Sequence, residues 1–138
     1  MKKDITYQHL LNKMLIIESA GNILYKALIS KIKDEKLRLI YERLAYNEQE
    51  TAEIIEKEIL KINKMRSMAI NNTILNSTKL ICGILTIRQL TWILKSALKK
   101  RICSKWYAIH KDENQDFWNA LLKHEDLQHQ LLKPFWDN

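Results

Sequence analysis

Three glutamates, Glu18, Glu48 and Glu125, occupy positions where the helical periodicity of this chain wants leucine. Each lies on an apolar stripe with the ~3.6-residue period of an α-helix. The first stripe is Leu11, Leu15, Glu18, Tyr25, Leu28; the second is Leu37, Tyr41, Leu44, Glu48, Thr51, Ile55, Ile62; the last is Phe117, Leu121, Glu125, Gln128, Leu131, Phe135. A carboxylate turned into a core must meet a cation or a full set of donors, because an isolated buried charge is costly. Two chemistries meet that demand. In one, the Lys100 ammonium donates to Glu18, Glu48 or Glu125 while Tyr25, Thr51 and Gln128 line the site and complete its hydrogen bonds; such a site is structural and needs no cofactor. In the other, the three acids are ligands to a hard divalent ion, iron or manganese, helped by His124 or His129, which flank Glu125. A residue next to a core position points about 100° away from it on a helix, so both histidines are expected mainly at the surface or an interface.

The elements that must position these residues are helices. Gly21, Gly83 and Pro134 are the only glycines and proline, too few for the turns that sheets demand, so the chain reads as all-α, and its length reads as a single domain, 1–138. Asp4 or Thr6 is placed to cap a first helix, and Asp34 a second, giving an αα-hairpin over 5–65. Residues 66–77, with Asn71-Asn72-Thr73 and Asn76-Ser77, read as a crossover lying on the bundle. A third helix is expected as one rod from Thr78 to Ile109, then a polar turn at His110 to Asn114, then a fourth helix that Pro134 stops, so the second hairpin spans 78–133. On one rod, Cys82 and Cys103 would stand about 31 Å apart at ~1.5 Å per residue, too far to bridge, and reduced thiols fit a cytoplasmic protein.

Charge is laid out in blocks. Residues 1–58 carry ten basic and ten acidic side chains, residues 59–111 eleven basic and none acidic, and residues 112–138 two basic and six acidic, so the middle block accounts for the net charge of +7. A block of this kind is expected to meet an acidic neighbour in the same fold or in a homodimer or protein partner; a nucleic-acid surface is the alternative, although no base-reading motif is present. The most apolar window, 80–98, contains Arg88, Gln89 and Lys95, which argues against a transmembrane segment. There is no glycine-rich phosphate loop, no Cys-x-x-Cys and no motif-spaced nucleophile, and no residue is singled out as catalytic.

The two hairpins share a skeleton. Glu18, six residues, Tyr25, then Leu44-x-x-x-Glu48-x-x-Thr51 is matched by Lys100, six residues, Tyr107, then Leu121-x-x-x-Glu125-x-x-Gln128. With these residues the chain resembles the ferritin-like superfamily, and within it the rubrerythrin type, over roughly residues 8 to 133. The resemblance implies a four-helix bundle of two αα-hairpins joined by a crossover, in which each hairpin supplies a lone Glu and a Glu-x-x-His pair to two metal ions. Carried over, Glu48 and Glu125 match the bridging glutamates and Glu18 a terminal ligand, whereas Thr51 and Gln128 stand at the histidine positions and Lys100 at the second terminal glutamate. These departures leave a degenerate site and argue against oxidase or peroxidase chemistry. The resulting expectation is a bundle serving as a non-enzymatic interaction or structural protein. The alternatives are a metal-binding protein with redox or metal-handling activity and a cationic nucleic-acid-binding bundle.

Overall fold

The structure, a computed structural model, describes residues 2–62 and 69–136, and these residues form six helices with no strand among them. They are α1 (Lys2–Lys31), α2 (Glu35–Ile62), α3 (Ala69–Ile84), α4 (Ile87–Lys99), α5 (Ile102–His110) and α6 (Gln115–Trp136). The α1–α2 hairpin follows from the expected turn: the Leu37 amide donates to Asp34 Oδ1 at 3.0 Å, so Asp34 satisfies one of the free amides that open α2. α1 already runs from Lys2, so Asp4 and Thr6 lie inside that helix, not ahead of its first turn. α6 packs on α2 and α5, and α3 and α4 lie against α1.

The stretch expected as a crossover is mostly α3; residues 63–68 lie outside the described residues. Its polar side chains do not break the helix because their hydroxyls turn back onto it: Ser77 Oγ donates to the Thr73 carbonyl at 3.0 Å and Thr78 Oγ1 to the Ile74 carbonyl at 2.8 Å. Nor is the third helix one rod. Thr86 opens α4 with a capping box, its Oγ1 accepting from the Gln89 amide while the Gln89 side chain accepts from the Thr86 amide. Lys31, at the end of α1, donates to the carbonyls of Cys82, Gly83 and Leu85, satisfying the carbonyls that the end of α3 leaves open. A second break falls at Arg101, which adopts a left-handed backbone conformation (φ 44°, ψ 54°) between α4 and α5. The straight-rod separation of the cysteines therefore does not apply. Both are free and buried, and both line one cavity. At the far end, α6 carries Pro134 inside its last turn and continues to Trp136.

Two apolar cores result, with a polar layer between them. One gathers Tyr7, Leu11, Met14 and Leu15 of α1, Ile55 and Ile59 of α2, and Phe117, Trp118 and Leu121 of α6. The other gathers Leu24, Tyr25 and Leu28 of α1, Tyr41, Leu44 and Ala45 of α2, Leu90 and Leu94 of α4, and Leu132 of α6. On each long helix the residues between the two sets are the polar ones: Glu18 on α1, Glu48 and Thr51 on α2, and His124, Glu125 and Gln128 on α6, all buried. Apolar packing above and below fixes the height and facing of that layer, which is what a site of charged groups requires in order to stay in place.

Candidate metal centre

Within the polar layer, α1, α2 and α6 bring one ligand atom each from Glu18, Glu48 and His124 to within 4.8 Å of one another. His124 Nε2 stands 2.9 Å from Glu18 Oε2 and 3.4 Å from Glu48 Oε2. Those spacings match the roughly 3 Å edges expected of ligands ~2.1 Å from an octahedral ion. None of these three buried atoms has a well-directed hydrogen bond, and His124 meets the two carboxylates as a close charge contact. Buried polar atoms without partners are uncommon, and three of them converging on one point is the arrangement a cation satisfies.

The outer contacts hold the three groups. Gln128 Nε2 donates to Glu48 Oε1 and lies 3.4 Å from the Tyr25 hydroxyl. Asn47 Nδ2 lies 2.6 Å from His124 Nδ1, and Thr51 Oγ1 donates to the Asn47 carbonyl at 2.9 Å. When the Asn47 amide donates to Nδ1, the ring proton sits on Nε2; when the amide turns its oxygen to the ring, Nδ1 carries the proton and the Nε2 lone pair is free for a metal. Gly21, one turn beyond Glu18, leaves the space that the Glu48 carboxylate fills: a Cβ there would lie 3.0 Å from both Glu48 Cδ and Oε1. Glycine at this position follows from the close approach, not from a turn.

Burial raises the Glu18 carboxyl, but its polar contacts with Glu48 and His124 and the imidazolium charge outweigh this and hold it below its ordinary value. Burial, joined by the neighbouring Glu18 charge, pushes Glu48 well above the usual carboxylate range. For His124, burial would lower the pKa, yet contact with both carboxylates raises it to about 10. In the absence of metal these shifts favour a charged His124 beside a charged Glu18 and oppose ionisation of Glu48.

Of the sequence-derived residues, Glu18 and Glu48 lie in the cluster and Gln128 links Glu48 to Tyr25, while Thr51 is buried on α2 with its hydroxyl turned to the Asn47 carbonyl of the same helix. Lys100 does not join them. It is exposed where α4 ends, as is Lys99, because the break at Arg101 leaves the lysines at a helix end instead of on a buried face. The cation-forming partner of the carboxylates is His124, only 5% exposed and hence neither a surface nor an interface residue. Position 124 can turn inward because the α6 stripe 117, 121, 128, 132 accommodates it as well as 125.

Glu125 is buried, but it serves a different end. Its Oε2 accepts from the Ser104 amide at 3.0 Å and from Ser104 Oγ at 2.5 Å, so it closes the N-terminus of α5, for which Arg101 makes no side-chain cap. Glu125→Ala is expected to cost about 1–3 kcal/mol in urea denaturation by leaving a helix-terminal amide and a hydroxyl without their acceptor, while divalent-metal binding stays near wild type. His129 stands outside the cluster, half-buried with an unpartnered Nε2. Asn47, Ser104 and Gly21 carry no motif in the sequence; the one signal was that Asn47 and His124 each immediately precede a core glutamate.

Comparison with protein-family profiles, curated proteins and solved structures finds no match to this chain. Among the described residues, no helix is long and apolar enough to cross a membrane.

Proposed function

We propose that the protein is a ferritin-like four-helix bundle, with α1, α2, α4 together with α5, and α6 as its members, that binds one divalent ion, iron or manganese, through Glu18, Glu48 and His124. The observation that carries this reading is the convergence within 4.8 Å of three buried ligand atoms from three helices, none of them satisfied by a hydrogen bond from outside the cluster. Two carboxylates and one imidazole form a donor set for a hard to borderline ion such as Mn(II) or Fe(II), and their two negative charges balance the ion. Three protein ligands leave coordination positions open, as a redox or metal-handling site requires. When bound, such an ion supplies Lewis acidity and, in the case of iron, one-electron chemistry. The chain's own residues do the rest: Gln128 orients Glu48, Asn47 orients the His124 ring, and the two apolar cores close the layer from above and below.

A second reading is favoured by the raised pKa of His124. Without an ion, the imidazolium can remain between Glu18 and Glu48 as a self-neutralising structural cluster, in keeping with a non-enzymatic interaction protein. One titration separates the two. Protein stripped with EDTA and then given Mn(II) should melt at a higher temperature, because a ligand at 100 times its Kd stabilises the folded state by about 2.7 kcal/mol. EDTA should reverse the gain. A melting temperature that does not respond to millimolar Mn(II) or Fe(II) supports the structural cluster and rejects the metal site.

A further inference from the structure

A cavity of about 370 Å³ lies between α1, α3, α4 and α5 and reaches the polar layer. Glu18 and Glu48 form part of its wall, with Glu125 and Gln128 beside them, whereas His124 is not among the lining residues. Glu18 and Glu48 thus belong both to the metal cluster and to the cavity wall, so a molecule in the cavity would meet the ion that they would hold. Apart from these polar groups, Thr78 and two cysteines, the lining is aliphatic: leucines, isoleucines, alanines and Gly21, with no aromatic ring and no basic side chain. Ile17, Ile81, Ile93 and Ala97 are lining residues that are also exposed, and they mark its mouth. The volume gives room for about twelve water-sized groups at ~30 Å³ each.

We propose that this cavity takes a molecule with a medium-length aliphatic chain and an oxygen-donor head that completes the coordination of the ion. The inference rests on the metal reading and adds the class of molecule that the metal meets. An aromatic body would find no ring to stack on. A charged head would find no counter-ion in the walls except the metal itself, so the head must be a metal ligand and the chain must supply the remaining affinity by burial. Each methylene buried strengthens binding about fourfold.

Cobalt(II), which stands in for iron or manganese and reports its coordination through its visible absorption, allows the test on the full chain. The cobalt protein should change spectrum with octanohydroxamate at a concentration at least 100-fold lower than with acetohydroxamate, which has the same head and almost no chain. Ala97→Phe, which fills the mouth from an exposed position, should erase that preference and leave acetohydroxamate binding unchanged. If cobalt binds and the two hydroxamates bind alike, or if Ala97→Phe keeps the preference, the cavity is not the chain's site and the metal reading survives. If cobalt does not bind at all, the metal reading fails and this inference fails with it, since the head then has nothing to coordinate.

Discussion

Glu48→Ala is expected to weaken Mn(II) binding by on the order of 100-fold or more in a calorimetric titration, which exceeds the tenfold to 100-fold typical of losing an outer-sphere partner. Glu48 is one of three donors, and among the described residues no other carboxylate is placed to replace it: Glu125 is committed to Ser104, and Glu58, the other buried acid, accepts from Asn114 Nδ2 at 3.0 and 3.2 Å. His124→Ala should match Glu48→Ala, whereas Glu125→Ala should not. Stability should move differently. Burial and the neighbouring Glu18 charge disfavour an ionised Glu48, and Glu48→Gln keeps the side-chain shape while removing that conflict, so the metal-free variant should melt at or above the wild-type temperature. A carboxylate held by a lysine would give the reverse, since deleting one partner of a buried ion pair costs about 3–5 kcal/mol. Mn(II) affinity within tenfold of wild type in Glu48→Ala would remove Glu48 from the metal site.

The second large effect is on pH. Folding raises His124 to about 10, so its stabilising contribution is complete below its ordinary value of 6.5 and is lost as pH climbs through about 10. Glu48, also raised, acts in the same direction: its protonated form favours the fold, and that contribution is lost as pH rises from its ordinary value of 4.5 through its raised one. Glu18 has the opposite sign. Its lowered pKa stabilises the fold above 4.5, and that part is lost as pH falls below this value. Metal-free protein in EDTA should therefore melt at its highest temperature near pH 4.5 and lose melting temperature as pH rises from there toward alkaline values. Metal reverses the trend, because the ion must displace the His124 proton from Nε2 and, while Glu48 is protonated, a second proton from its carboxyl. Affinity should rise about tenfold per pH unit for each proton displaced, about 100-fold between pH 6 and 8 for one proton alone. Calorimetry in two buffers of different ionisation enthalpy counts those protons, and a count of zero would show that His124 is not a ligand.

The sequence by itself determined the helical class, the α1–α2 hairpin with its Asp34 cap, the turn before α6, and a buried acidic layer at Glu18 and Glu48. These are local or periodic properties: a 3.6-residue stripe broken by a carboxylate needs nothing beyond its own helix to be seen. Only the tertiary structure decided what faces those carboxylates. Whether Glu125 or its neighbour His124 turns inward is a rotation of about 100°, and the α6 stripe accommodates either; packing against α2 and the waiting N-terminus of α5 select His124 for the cluster and give Glu125 to Ser104. Lys100 fits the repeat in the chain but not in space, because the breaks at Thr86 and Arg101 divide the third rod and leave that lysine in solvent. The Thr86 to Gln89 capping box was legible in principle, whereas the left-handed turn at Arg101 was not, since no glycine or asparagine marks it. Helix phase and helix breaks are set by contacts between segments distant in sequence, and they decided which cation-forming group the acids meet.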